Sequence, residues 1–336
     1  MSKYSIILPV RNGGTYVKEC VNSILSQSFT DFNFIVLDNN STDGTPEWIE
    51  SLKDDRIIIY RSTESLGIVG NWSRIVNTAK NEFITLIGHD DILDPHYLTV
   101  MDELIKKYPD ASLYQTHFRY IDSKGDTIKK GLPMKEKQSP EEVLKVFLRT
   151  EMDVIGTGFM MRSKDYDALG GIPDYPNLIF ADFELWINLA RKSYMAVAKE
   201  ESFAFRVHQS TTQTSADETL LKAFSRFVGY LEHIQRADPQ LGKIVTGNVS
   251  VLLNFYCQGF TSRVLRTPMQ KRKGQTVKAI INDFREYAQK LNPIDDFNPL
   301  NNFTVRLALY IDSNFMTRSI FLLFKQVYSK PIVRGN

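Results

Sequence analysis

Two adjacent carboxylates, Asp90 and Asp91, end the apolar run FITLIGHDD at residues 83–91. Held side by side, they repel each other unless a cation, a proton or a hydrogen-bond donor relieves them. A divalent metal carrying a phosphorylated ligand is the economical relief. The plainer alternative is that Asp91 caps a helix starting near Pro95 while Asp90 is solvated. Another carboxylate, Asp182, opens DFELWINLA. On a wheel of about 100° per residue, Leu185, Trp186, Leu189 and Ala190 cluster around Asp182, and Glu184 lies about 200° away. Asp182 is therefore expected to face inward and Glu184 to face solvent. An inward carboxylate there is either a helix-start group favoured by the dipole or a functional one. Asp38, closing the run FNFIVLD, can accept hydrogen bonds from a base or ribose, or simply shape an Asx turn. Trp72 and Trp186 read as core or pocket-wall residues.

These groups need strands and helices to position them. A Gly-bounded apolar run reads as a buried strand, here 83–87, and it delivers Asp90 and Asp91 to the carboxyl end, where open α/β sheets bind ligands. Upstream, the pattern predicts strands at 4–10, 32–37 and 56–60, with helices at 13–26, from Pro46 and at 68–79. Such alternation predicts a parallel, doubly wound sheet. A helix from Pro95 to about Lys107 and a strand near 111–120 continue it. The charged, Gly- and Pro-bearing residues 122–140 read as a hairpin tip or mobile loop. A helix at 140–149, a Gly-containing strand at 155–161, a helix at 182–192 and short strands at 194–198 and 203–207 follow. From about 216 only helical periodicity is left, near 216–236, 240–265, 274–291 and 300–328. The expected division is an α/β domain over 1–215 and a helical region over 216–336.

Strand ends at Pro9-Val10-Arg11-Asn12, Asp38 and Asp90-Asp91 fall on one edge of such a sheet, so their side chains can converge on one ligand. The first turn lacks Gly-x-Gly-x-x-Gly and the chain lacks a P-loop, which argues against a dinucleotide dehydrogenase and a P-loop enzyme. Strand alternation puts Arg206 and His208 on one face, where Arg206 can neutralise phosphate.

The 336 residues, 43% hydrophobic and 24% charged, suit one or two globular domains. Cys20 and Cys257 match no metal or redox spacing and read as buried thiols in a reducing compartment. The amino terminus has too short an apolar run for a signal peptide, and no stretch is long and apolar enough to span a membrane. Charge is uneven: residues 1–214 carry 24 Lys and Arg against 30 Asp and Glu, and residues 215–336 carry 17 against 9. That split suggests an anionic surface, nucleic acid or a membrane face, touching the back half. A membrane face is retained and no nucleic-acid partner is expected. Arg263, Arg266, Lys271, Arg272, Lys273 and Lys278 form an acid-free cluster near the apolar stretch 303–328. An amphipathic helix beside such a cluster suits an anionic lipid surface; docking on the α/β domain or in a homodimer is the alternative.

In chain order, SIILPVRNG, VLDNNSTDGT, LGIVGNWSRIVNTAKNEFITLIGHDDIL, LGGIPD, DFELWINLA and FRVHQSTTQTS resemble the inverting nucleotide-sugar glycosyltransferases of family 2. The resemblance covers about residues 4–215 and excludes the helical region. It implies the GT-A fold, a Rossmann-like, mainly parallel α/β sheet flanked by helices, here with an α-helical extension. It implies Pro9 and Arg11 beside the nucleotide, Asp38 on the base, and Asn71 and Asn77 on the donor side of the fourth strand. Asp90 becomes the metal-binding carboxylate of an Asp-x-Asp element, for Mg2+ or Mn2+, with His208 approaching the metal or diphosphate. Asp91, the rival ligand, and Arg206 join the donor-binding set, and Asp182 becomes the general base. One departure stands out: Gly88 occupies the place of the element's first Asp.

The expected activity is transfer of a hexosyl or deoxyhexosyl group from a nucleoside-diphosphate sugar to a glycan or lipid-linked acceptor in surface polysaccharide or glycoconjugate assembly. The expected location is cytoplasmic, at the inner face of the plasma membrane. The rivals are a sugar nucleotidyltransferase, for which RNGG is a thin phosphate grip, and a catalytically weak sugar-nucleotide-binding protein, which Gly88 would permit.

Overall fold

The computed structural model describes residues 2–207 and 215–328, which fall into two compact units. The first comprises residues 2–143 and 152–207, and the second residues 144–151 and 215–328.

In the first unit β1 (Tyr4–Val10) is buried along its whole length, as a strand covered on both faces must be. It pairs in parallel with β2 (Phe32–Asp38), which pairs with β3 (Ile57–Arg61); α1 (Tyr16–Leu25) and α2 (Thr45–Ser51) make the crossovers. Helix α3 (Gly67–Ser73) and a single 3-10 turn, Arg74–Asn77, lead to β4 (Phe83–Leu86), which returns to the other side of β1. The order β3-β2-β1-β4 thus reverses direction between β1 and β4. Past β4 come β5 (Ile92–Leu93), α4 (Tyr97–Lys107) and β6 (Leu113–Ile121). The segment expected as a tip or loop holds β7 (Thr127–Lys130), a hairpin partner of β6, and β8 (Lys137–Gln138). Next are α5 (Pro140–Leu148), of which residues 144–148 belong to the second unit, β9 (Met160–Arg162), α6 (Ser163–Ala168), α7 (Ala181–Ala190) and β10 (Met195–Arg206). Beyond β4 the sheet is mixed: β9 runs antiparallel between β4 and β6, β10 runs parallel to β6, and β5 lies antiparallel at the edge.

Two local expectations change. The strand expected over 155–161 shrinks to β9, because Gly156–Phe159 is drawn out of the ladder into a loop. The two short strands expected near 194–207 are one strand, β10. Its exposed Lys199 and Glu200 read as a break, yet β6 pairs on both sides of them through two register shifts, so the surplus residues bulge out.

The second unit is helical: α8 (Asp217–Ala237), α9 (Pro239–Arg266), α10 (Val277–Leu291), α11 (Phe303–Ser313) and α12 (Phe315–Tyr328). An aromatic cluster forms its core, with Phe224 stacked on Phe284 at 5.1 Å between centroids and Phe260 edge-on to both. The helix expected over 300–328 is two. Asn314 is extended, and its side chain accepts from the Met316 amide at 2.8 Å, so it ends one helix and caps the next. Two members of the expected basic cluster are structural. Arg263 pairs with Asp217 at 2.7 Å, and the buried Arg272 pairs with Asp312 at 2.6 Å. Among the described residues no helix is long and apolar enough to cross a membrane.

Candidate active site

A crevice opens where β1 and β4 part. β1 pairs with β2 as far as Val10 opposite Asp38, but with β4 only as far as Ile7 opposite Leu86. Strand alternation turns the Pro9 nitrogen toward the β4 side, where the ladder has already ended, so its missing N–H leaves no bond unmade. Beyond it, Arg11 is exposed and Asn12 takes a left-handed conformation, φ 51°. The loops after β1 and β2 are bound together at this edge. The Asn12 amide donates to Ser41 Oγ (2.9 Å), the Thr42 amide to Asn12 Oδ1 (2.8 Å), Gly13 N to Thr45 Oγ1 (3.1 Å) and Gly14 N to Asp43 Oδ2 (3.1 Å). Asp38 is buried, and both of its carboxylate oxygens accept from the Ser41 amide at 3.3 Å, the turn-shaping arrangement.

On the other side of the crevice the chain leaves β4 through Gly88-His89-Asp90-Asp91 and enters β5, whose pairing with β10 brings Asp91 beside Arg206. Asp91 is buried and its oxygens are taken up by protein donors: the Arg206 amide at 3.0 Å and the Thr157 hydroxyl at 2.6 Å. Burial, then the charge of Asp90, push its carboxyl well above the usual range, while these donors oppose the shift. Asp91 therefore holds the turn in place. Arg206 is held as tightly. Its side chain is fully covered, donating to Asp90 O (2.8 Å), Asp122 O (3.0 Å) and Glu19 (2.6 Å), with its guanidinium 4.5 Å from the Tyr16 ring. Such a guanidinium fixes the Asp90 backbone. From below, the buried Cys20 thiol donates to Gly88 O at 3.3 Å.

Gly88 has a steric reason to be glycine. A Cβ there would lie 2.7 Å from Asp90 Oδ1 and 3.0 Å from Asp91 Oδ2, so both carboxylates fold over the space a side chain would fill. Asp90 is half-buried at the sheet's carboxyl edge. Among the described residues no group of three or more His, Cys, Asp and Glu side chains is placed to hold a metal ion. One edge carboxylate does suit a hard cation that shares its shell with phosphate oxygens and water, the usual habit of Mg2+. His208, expected near the metal, lies outside the described residues.

Asp182 sits in the first turn of α7, half-buried, its Oδ1 accepting the Phe183 amide at 3.0 Å. Desolvation pushes its carboxyl up to about 7, against the pull of the Phe183 bond. The wheel put Leu185, Trp186, Leu189 and Ala190 in the core, where they are. Glu184, expected in solvent, is half-buried and accepts from the Tyr175 hydroxyl at 2.6 Å. The loop before α7 explains the difference: Asn177, Leu178 and Phe180 all have positive φ, which folds it back over the helix start. Gly156 lies against Asp182, where a Cβ would sit 3.9 Å from Oδ2. Since Thr157 holds Asp91, adjacent residues of one loop join Asp182 to the β4 turn.

Pro9, Arg11, Asp38, Asp90, Asp91 and Arg206 thus share one sheet edge, and the Gly156–Thr157 loop links Asp182 to it. Asn71 is buried, its Nδ2 donating to Leu37 O (3.1 Å) and its Oδ1 accepting from Arg74 (2.9 Å), so its amide ties α3 to β2. Asn77 is exposed on the 3-10 turn leading back toward the start of β4. Gly156, Thr157, Glu19 and Tyr175 went unnoticed in the sequence; the Gly-Thr-Gly spelling at 156–158 marks the first two, and no local signal marks the others.

A sheet that is parallel through β3, β2, β1 and β4 and mixed beyond, followed by a helical unit, has the GT-A architecture. Residues 5–170 match the model of glycosyl transferase family 2. Relatives include an uncharacterized glycosyltransferase of Rickettsia typhi, 24% identical over 70% of this chain and 73% of its own length. Another is a GalNAc(5)-diNAcBac-PP-undecaprenol beta-1,3-glucosyltransferase of Campylobacter jejuni, 27% identical over 69% of this chain and 73% of its own. In fold the chain is similar to S. aureus TarS 1–349, crystallised with UDP-GlcNAc, with a TM-score of 0.69 at 15% identity, covering 99% of this chain and 95% of that one.

Proposed function

We propose that this chain is an inverting glycosyltransferase that moves a hexosyl group from a nucleoside-diphosphate sugar to an acceptor hydroxyl. The observation that carries the reading is the half-buried Asp182, its carboxyl pushed up to about 7 by desolvation, facing the bare Gly156 next to the β4 turn. A carboxylate poised near neutrality can take a proton from a hydroxyl at working pH. Asp182 would accept the acceptor's hydroxyl proton as that oxygen attacks the anomeric carbon, and the bond from that carbon to the diphosphate oxygen breaks on the opposite face. Arg11 and the bound loops after β1 and β2 would line the nucleotide side. Asp90 would hold Mg2+ or Mn2+ together with diphosphate oxygens, and such a cation supplies countercharge to the departing diphosphate.

The relatives support a nucleotide-sugar donor and a glycan or lipid-linked acceptor: TarS was crystallised with UDP-GlcNAc, and the Campylobacter relative is named for glucosyl transfer to a PP-undecaprenol glycan. On this reading the chain works in surface polysaccharide or glycoconjugate assembly, at the cytoplasmic face of a membrane that its helical unit touches.

The test is a thermal-shift screen of nucleoside diphosphates and their sugars with and without Mn2+, since a ligand that binds only the folded state raises Tm. The donor so found is then used to read the anomeric configuration of the product. A donor that raises Tm only with metal, and a product of opposite anomeric configuration, are expected. No stabilising donor, or retention of configuration, would sink the reading.

A further inference from the structure

Helix α12 wears its apolar side outward. Phe315, Met316, Ile320, Leu323 and Phe324 are between 59% and 79% exposed, while Arg318 and Lys325 are half-buried on the opposite side. A surface helix normally does the reverse, turning a stripe of apolar residues to the core and charge to water. The preceding α11 adds Phe303, Leu307 and Tyr310, an exposed stripe at four- and three-residue spacing. Isolated exposed apolar residues need no explanation, but eight large ones within 22 residues form a patch that water alone does not suit.

The charge carried by this stretch is basic apart from one buried acid, and in the basic segment beside it Lys273 pairs with Glu218 at 3.5 Å. Between residues 297 and 328 the only acidic residue is Asp312, and it is buried, held by Arg272 at 2.6 Å and Arg318 at 2.9 Å. Lys325 Nζ donates to Arg266 O at 3.1 Å, so the end of α9 and the loop after it adjoin α12. That region presents exposed Arg266, Lys271 and Lys278, together with exposed Met269. α11 contributes exposed Arg306.

We infer that the α11–α12 face, with the basic segment Arg266–Lys278 beside it, is a monolayer-docking surface for anionic lipid. The apolar side chains enter the headgroup and acyl boundary while the cations stay at headgroup level, the arrangement of an interfacial helix. Charge complementarity favours lipid over a second copy of the chain. A two-fold contact would lay this patch on itself, bringing Arg306 and the basic segment against their own copies with no exposed acid between residues 297 and 328 to offset them. The inference rests on the peripheral-membrane part of the proposed function and adds the surface and the lipid chemistry; it is independent of sugar transfer.

The experiment is flotation of the full chain with phosphatidylcholine vesicles, with and without phosphatidylglycerol, at low and high salt, beside sedimentation to find the subunit count. Ile320→Glu combined with Leu323→Glu tests the apolar face, and Lys271→Glu tests the rim; all three side chains are exposed, and circular dichroism checks the fold. The expected result is flotation only with phosphatidylglycerol, weakened by salt, with partitioning reduced at least ~10-fold in the double variant and less in Lys271→Glu. A chain that fails to float on anionic vesicles at low salt overturns the inference. So does a stable dimer that the double variant converts to monomer, which would make the face a self-interface. Because flotation needs no donor or acceptor, its failure is distinct from failure of the transferase reading.

Discussion

The Thr157 hydroxyl donates to the buried Asp91 carboxylate at 2.6 Å, and this bond ties the loop between α5 and β9 to the turn after β4. Its neighbour Gly156 lies against Asp182. A shift of that loop would therefore move the β4 turn and the surroundings of the proposed base together.

Thr157→Val keeps the shape of the side chain and removes the donor, leaving a buried carboxylate oxygen short of a partner. The expected cost is about 1–3 kcal/mol of stability. Transfer should fall as well, since the Asp90 turn loosens. Chemical denaturation and kcat/KM check both; unchanged values would mean that Asp91 is held by the Arg206 amide alone.

Asp182→Asn should bind donor as the parent does and lose about 10²–10⁴-fold in turnover, because it removes a proton acceptor and keeps the shape. Glu184→Gln should cost less, since Glu184 accepts from Tyr175 and does not face Gly156. Single-turnover transfer and donor titration separate the effects. Equal losses would move the base assignment away from Asp182.

Titration of Asp182 adds a pH signature. Its folded carboxyl is raised from 3.8 to about 7, so the folded state resists ionisation. Transfer should rise with pH through about 7 as the base ionises, and the Asn variant's residual rate should lack that step. Stability runs the other way: the ionised group destabilises the fold increasingly from the unfolded pKa up to the folded one, and fully above it. Asp182→Asn should accordingly melt above the parent at pH 8, with the gap closing as pH falls toward 4. A gap that does not change with pH would refute the raised pKa.

Asp90→Ala and Asp91→Ala should differ in kind. The first abolishes the enhancement of nucleotide binding by Mn2+. The second unpairs Thr157 and the Arg206 amide and lowers Tm. Mn2+ titrations beside melting curves decide it; enhancement retained in the Asp90 variant would transfer the metal role elsewhere.

Gly88→Ala puts a Cβ 2.7 Å from Asp90 Oδ1 and 3.0 Å from Asp91 Oδ2, which the Thr157 hydroxyl holds in place. Stability should fall and metal-dependent donor binding should weaken severalfold, which melting curves and isothermal titration with and without Mn2+ would read. Gly88→Asp, which restores the family's spelling, should weaken it as well. Improved binding in that variant would show that the turn can reopen.

Local pattern carried much of this protein. Period-two and buried apolar runs set β1 to β4, their alternation with helical periodicity set the parallel half of the sheet, and both follow from short-range geometry. The same rules put Pro9, Arg11, Asp38 and Asp90 on one edge, because strand direction alone determines which ends coincide. Tertiary pairing decided the rest. Whether Asp91 and Arg206 face a ligand or each other depends on β5 joining β10, a contact across 115 residues that no local pattern encodes. Glu184 left the solvent because the loop before α7 turns back through Phe180 at φ 72°, a conformation that propensity disfavours and only packing can hold. Arg263 and Arg272 looked like free cations in the chain and became ion-pair partners in the fold, since a charge count records how many groups there are and not which acid each one meets.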